Sequence, residues 1–451
     1  MPGIVPQDII REYNSTRNFL KRRKLCYAPF NALRFSLSGN IYACCYNRFH
    51  SLGKYPEVSV TEAWFGEKAE KLREAISQND LSLGCHSCYS KLINRNFQAS
   101  GSKIYDTFKE QKKGPSLLDF EISNTCNLEC IMCNGENSSL IRRNREKGDP
   151  YPLVYDDDFV NQLDPFISGL KEARFVGGEP FLIDIYKKIW TRLSTLNKSI
   201  KINILTNGTV LNDEIIEFYK NNNVHVSFSL DSINKETYES IRINARFENV
   251  MQNFNTIYQL SRQYKRDLTV NICPIRKNMW EIPDMVNHYT NLNIPIVLHI
   301  AVYPSAEVIG TMSTEKLQEY LNFLSEVKIQ THSFISKANY TAFESYRSQV
   351  SVWLKKAIQQ PEIITQSISE LQISLAGKLK NYLCELDIQD NLRLSKYNEL
   401  IARIVDEINN PDTARTALKN LIAIDAGYIV SELETSSFEK IKERFIALGG
   451  N

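Results

Sequence analysis

The sequence predicts an α/β fold, a partial (βα)6 TIM-like barrel, and three observations predict it. Six strand-like apolar runs lie between residues 116 and 305: Leu117–Ser123, Ala173–Val176, Ile200–Leu205, Val224–Leu230, Leu268–Cys273 and Ile294–Ile300. Helical spans such as Asn212–Asn221 and Met251–Tyr264 separate them, the pattern of parallel strands joined by right-handed crossovers. Within the runs apolar residues recur at period two, as in Ile200-Lys-Ile-Asn-Ile and Val224-His-Val-Ser-Phe-Ser-Leu. In such a barrel, ligand sites belong at the C-terminal ends of the strands.

Two regions flank the barrel. Residues 1–115 hold a predicted hairpin, Leu33-Arg-Phe-Ser-Leu and Ile41-Tyr-Ala-Cys, turned by Ser38-Gly39-Asn40. A helix is expected from Val60 to Ser77, with Thr61 as its N-cap. The basic, turn-prone stretch from Lys109 to Ser116 reads as a linker. Residues 306–451 read mainly as helices, broken at Gln359-Gln-Pro361 and Asn409-Asn-Pro411.

Composition excludes several classes. The formal net charge is +2, from 54 basic and 52 acidic residues, so nothing global argues for nucleic acid or an anionic membrane. No run of apolar residues is long enough to span a bilayer. The N-terminus lacks a signal-peptide core, which points to the cytoplasm. Eight of the ten cysteines are clustered. In a reducing compartment, clustering favours metal or iron–sulfur ligation over disulfides.

Cys126-Asn-Leu-Glu-Cys130-Ile-Met-Cys133 follows the first barrel strand. Three thiolates can hold three corners of a [4Fe–4S] cube and leave the fourth iron open, as a catalytic site requires. A zinc site with a remote fourth ligand, or unliganded core cysteines, are the alternatives. The loop resembles the signature of the radical S-adenosylmethionine (SAM) superfamily. The resemblance implies that the open iron binds SAM and that one-electron cleavage yields a 5′-deoxyadenosyl radical, which takes hydrogen from the substrate. Such proteins carry an aromatic residue before the third cysteine. Here Met132 stands there, and its thioether can pack against adenine.

Further residues join this reading. Gly177-Gly178-Glu179-Pro180 ends the second strand and resembles the family's GGEP segment, which binds the methionine ammonium; alone it would be a strand-to-helix turn. Asn207, in Thr206-Asn-Gly208, ends the third strand near the implied cofactor. Ser229 and Asp231 end the fourth. The resemblance puts a ribose contact there and a carboxylate-binding arginine, Arg242, in the next helix. Asp231 could instead cap that helix. Asn271 on the fifth strand is a possible cofactor neighbour. Cys273 is either a small buried residue or a hydrogen donor to a substrate radical. His299 reads as a packed histidine, and Cys384 as packed in its helical region.

The N-terminal cysteines read Cys26-x12-Gly39-x4-Cys44, then Cys85-His-Ser-Cys88. Two ligands on a hairpin and two in a CxxC turn make a thiolate cage for a [4Fe–4S] cluster or zinc. The strand alternation turns Cys45 to the opposite face from Cys44. The pattern resembles the first half of the SPASM arrangement, a twitch domain, placed before the barrel instead of after it. It implies one auxiliary [4Fe–4S] cluster.

The resemblance covers roughly residues 24–300. It implies a radical SAM enzyme acting on a peptide or protein, with a sugar, aminoglycoside or other small polar metabolite as the alternative, and an external one-electron reductant such as flavodoxin or ferredoxin. A non-catalytic metal-stabilised scaffold would be the different class.

Overall fold

The computed structural model describes every residue except 1–2, 109, 111–112, 302–306, 360–365, 386–390, 409, 425, 436 and 450–451. The chain divides into two compact units. One comprises Met1–Cys126, Tyr151–Phe228 and Met251–Leu268, the other Asn127–Pro150, Ser229–Val250 and Thr269–Asn451. The strands are β1 (Ala32–Ser36), β2 (Asn40–Tyr42), β3 (Gly53–Lys54), β4 (Leu117–Glu121), β5 (Glu172–Phe175), β6 (Lys201–Thr206), β7 (Val224–Ser229), β8 (Leu268–Ile272) and β9 (Ile296–Leu298).

In the first unit the strand order is β3-β2-β1-β4-β5-β6-β7. β1 and β2 form the expected antiparallel hairpin, and Gly39 at its turn has φ +87°, where a side chain would be strained. β1 also pairs in parallel with β4, from Ala32 opposite Leu117 to Ser36 opposite Glu121. The N-terminal hairpin therefore extends the parallel sheet. Alternation places Phe35, Phe120 and Phe175 on one face, stacked in a row at 5.2 and 4.9 Å between centroids. The other face holds a buried charge network. Arg34 bonds Asp119 at 2.8 Å and also pairs with Glu121.

Val226 N–H donates to Asp267 O within the first unit, and Leu230 N–H to Asn271 O within the second. β8 and β9 are parallel. β9 is shorter than the expected Ile294–Ile300 because it follows Pro295, which has no N–H to donate.

Other elements depart from expectation. The helix predicted over Val60–Ser77 is two helices, Val60–Phe65 and Glu67–Ser77, because Gly66 adopts an extended conformation between them. Ser59, not Thr61, caps the first, its side chain accepting from Glu62 N–H. Helices dominate after residue 306. Phe334–Gln359 ends at the expected break, whose remaining residues lie outside the described ones, as does most of Lys109–Lys112. Asn410 caps Pro411–Ala423 with Pro411 in its first turn. Leu371, Leu375, Leu379 and Leu383 recur every fourth residue and build a separate core with Ile404, Leu418 and Phe445. Cys384 does not pack there; it is exposed, because its neighbour Leu383 takes the inward face.

Candidate metal and cofactor sites

In the first unit, β4 leads through Ser123-Asn-Thr125 to Cys126. The Gly177-Gly178 turn lies against that segment. Both glycines have positive φ, +83° and +50°. A Cβ on Gly178 would stand 2.2 Å from Thr125 O, and one on Gly177 2.8 Å from Ser123 O. Only glycine permits this approach. Glu179 N–H donates to Thr125 O at 2.8 Å. The Glu179 side chain is fully buried. Its carboxylate accepts from Phe181 N–H at 3.2 Å, Thr206 Oγ1 at 2.8 Å and Asn207 N–H at 2.7 Å. Glu179 thus ties the end of β5 to the end of β6. Asn207 Nδ2 in turn lies 3.9 Å from Cys126 Sγ. Pro180 opens a short helical turn, Pro180–Leu182.

In the second unit, the loop carrying Cys130 and Cys133 runs beside the end of the helix Lys235–Ile241. Glu129 N–H donates to Ile243 O and Ile131 N–H to Ile241 O. Arg242 Nη1 lies 4.0 Å from Cys130 Sγ, and Nη2 pairs with buried Asp231 at 2.7 Å. Burial works against the Arg242 charge, but Asp231 beside it holds its pKa above the usual range. Asp231 does not cap the following helix; Asn234 does, accepting from Thr237 N–H. Instead Asp231 accepts from Cys273 N–H at 2.7 Å, and Asn278 Nδ2 bonds the carbonyls of both Asp231 and Cys273. Cys273 packs with Ile241, Ile275, Ala301, Ile131 and Met132. Burial, then Asp231, pushes its thiol pKa up. Ser229, the last residue of β7, is half-buried.

Among the buried polar atoms of this unit without a hydrogen-bond partner, three lie close in sequence to the residues above: Arg242 Nε, Asn271 Nδ2 and the Tyr238 hydroxyl. Asn271 Oδ1 is engaged with His299 Nε2 at 3.0 Å. Unpaired buried donors are costly without a ligand. Two of the three belong to residues the sequence singled out. Tyr238 was missed, since a tyrosine inside an amphipathic helix carries no signal distinguishing it from core.

The four N-terminal cysteines line one cavity in the first unit: Cys26, Cys44, Cys85 and Cys88, with Leu25 and Tyr105 among its other walls. Gly101 lets the chain pass the Tyr46 ring, where a Cβ would stand 2.2 Å away. Burial raises all four thiol pKa values, and for Cys26, Cys44 and Cys85 neighbouring cysteines add to it. Such a buried thiol set suits a cation that would stabilise the thiolates. Cys45 does not line that cavity; it lies near Arg34 and interacts with Tyr105. His86 stacks edge-on with Phe49 at 5.1 Å. Among the described residues, no three His, Cys, Asp or Glu side chains converge on a single-ion site.

Residues 120–288 match the family model of the Radical SAM superfamily. Residues 26–89 match that of an iron–sulfur cluster-binding domain, SPASM. The chain is 31% identical over 205 residues to the antilisterial bacteriocin subtilosin biosynthesis protein AlbA of Bacillus subtilis (strain 168), covering 45% of this chain and 43% of that protein. It is 28% identical over 181 residues to a GTP 3′,8-cyclase of Clostridium acetobutylicum, covering 39% and 52%. Among solved structures, Streptococcus suis SuiB bound to S-adenosylmethionine matches with 16% identity and a TM-score of 0.36, covering 59% of each chain. The chain spans about half the length of the curated relatives it matches. Among the described residues, no helix is long and apolar enough to cross a membrane.

Proposed function

We propose that this radical SAM enzyme, which carries its iron–sulfur cluster-binding SPASM domain ahead of the radical SAM domain, abstracts hydrogen from a peptide or protein substrate. A [4Fe–4S] cluster with SAM supplies the 5′-deoxyadenosyl radical in this superfamily, and the SPASM domain implies an auxiliary cluster.

Cys126, Cys130 and Cys133 would hold the first cluster; Cys26, Cys44, Cys85 and Cys88 would hold the auxiliary one. The observation that carries the cofactor assignment is the pair of unpartnered buried donors, Arg242 Nε and Asn271 Nδ2. Arg242 would receive the methionine carboxylate and Asp231 keeps its guanidinium oriented. Gly177, Gly178 and Pro180 shape the turn for the methionine ammonium, and Glu179 holds that turn to β6. Asn207, Ser229, Asn271 and Met132 would border the nucleoside. Cys273, whose thiol pKa burial raises, is a candidate hydrogen donor. The domain division that goes with this reading is 1–115, 116–305 and 306–451, in a cytoplasmic protein served by an external reductant.

Similarity to a bacteriocin biosynthesis protein supports the peptide or protein substrate. Similarity to GTP 3′,8-cyclases favours a second reading, a small polar metabolite. Anaerobic reconstitution should give about eight irons in two cube-type clusters, and dithionite with SAM should release 5′-deoxyadenosine. The Cys126→Ala/Cys130→Ala/Cys133→Ala variant should hold half the iron and release none. Zinc in place of iron would sink the enzyme reading. Deuterium passing into 5′-deoxyadenosine from a labelled peptide encoded beside the gene, and not from labelled GTP, would separate the two substrates.

A further inference from the structure

The chain as a whole is nearly neutral, yet the segment leading to Cys26 is not. Between Tyr13 and Phe30 it carries Arg17, Lys21, Arg22, Arg23 and Lys24 and no acidic residue. The structure uses these cations in different ways. Arg17 is buried; it forks onto Asp106 at 2.8 and 2.5 Å and donates to Lys24 O at 2.7 Å. That anchors the path of the segment. Lys21 lies over the Tyr27 ring at 4.7 Å, and Lys24 over Phe30 at 3.8 Å. Lys24 also reaches Glu110 at 3.4 Å. Arg22 and Arg23 are exposed. Among the described residues, neither has a carboxylate partner.

Immediately before them, Phe19 and Leu20 are 71% and 64% exposed. They sit on a helical turn, Phe19–Lys21, that Asn18 caps by accepting from Leu20 N–H. Arg22 donates to Arg17 O at 3.3 and 3.2 Å, which holds it at the surface. Two large apolar side chains held outward beside exposed arginines have the anatomy of an interface anchor with a charged rim. The following residues, Leu25 and Cys26, line the thiol cavity. Arg23 is three residues from Cys26, at most about 11 Å of extended chain.

We propose that Phe19–Lys24 is the docking surface for an acidic one-electron carrier protein, with Phe19 and Leu20 as apolar anchors and Arg22 and Arg23 as charge partners. The electron then enters at the cage of Cys26, Cys44, Cys85 and Cys88. The carrier would be oxidised by one electron and the auxiliary cluster that these four cysteines would hold would be reduced by it; no bond forms or breaks. The proposal rests on the reading that the cage holds an auxiliary cluster. Charge complementarity favours an acidic protein, and the position beside the cage favours a redox protein.

The test uses the full-length reconstituted protein with flavodoxin and with ferredoxin, the two acidic carriers, as probes. Affinity is measured at low salt and at ~0.5 M salt, where exposed charges are screened. Stopped-flow absorbance follows reduction of the clusters by each reduced carrier. Arg22→Glu/Arg23→Glu should weaken binding and slow reduction at least about tenfold and remove the salt dependence, since rim charges set association rates. Phe19→Ala/Leu20→Ala should weaken binding and leave the salt dependence in place. Iron content and reduction by dithionite, unchanged in both variants, exclude misfolding. Equal binding by wild type and the charge-reversed variant would overturn the proposal. So would a wild type that ignores both carriers, or one that uses Arg22 and Arg23 to hold a single-stranded oligonucleotide or an anionic vesicle instead. Absence of iron from the cage fails the functional reading, and the affinity measurement still decides the docking surface.

Discussion

A single side chain can be claimed by two roles, and Glu179 is the clearest case. The resemblance of Gly-Gly-Glu-Pro to the family's segment implies a cofactor ammonium nearby. The structure gives its carboxylate three protein donors, Phe181 N–H, Thr206 Oγ1 and Asn207 N–H. Glutamine in its place must turn an amide N–H2 toward another donor. Glu179→Gln should therefore destabilise the cofactor-free protein by about 1–3 kcal/mol, read as a lower midpoint in chemical denaturation. An unchanged midpoint would assign Glu179 to the ligand alone. Arg242 was singled out in the sequence because arginine suits a carboxylate. Its buried salt bridge to Asp231 was not, since eleven positions separate the two and only the fold brings them to 2.7 Å.

Turns and caps are the scale at which single positions decide the path of the chain. Gly178 has φ +50° and faces Thr125 O, so any Cβ meets backbone. Gly178→Ala should displace the segment entering Cys126 and lower iron incorporation at the Cys126/Cys130/Cys133 loop. Iron analysis and electron paramagnetic resonance would show it, and a normal spectrum would refute the close approach. The helix Val60–Phe65 tests the capping logic. Ser59→Ala should cost about 1 kcal/mol because it removes the acceptor for Glu62 N–H. Thr61→Ala, inside the first turn, should cost less in the same unfolding measurement. The sequence pattern of apolar residues ran through Gly66 unbroken. The break is a backbone event at one glycine, which periodicity does not register.

Across the whole molecule, partly desolvated histidines should set a pH dependence. Burial lowers the pKa values of His225, His288 and His299 below the ordinary value near 6.5. Below that value the unfolded chain binds protons that the folded chain does not. Stability should accordingly be full at neutral pH and fall as pH drops below about 6.5. Thermal unfolding between about pH 7.5 and 5.5 would show a declining midpoint, and His288→Asn should flatten the decline. A flat profile in the unaltered protein would contradict the desolvation of these rings.

Strand identity, the cysteine loop, the glycine turn and the four-thiol pattern were determined by the sequence, because each depends on near neighbours or fixed spacing. A period of two marks a half-buried strand wherever the strand ends up, and a thiol pattern marks metal chemistry whatever folds around it. Tertiary structure alone decided the rest. It joined the N-terminal hairpin to the parallel sheet through β1 and β4. It left Arg242 Nε and Asn271 Nδ2 buried without partners. These outcomes depend on which distant residues share a desolvated space, and that is set by packing, which no local pattern encodes.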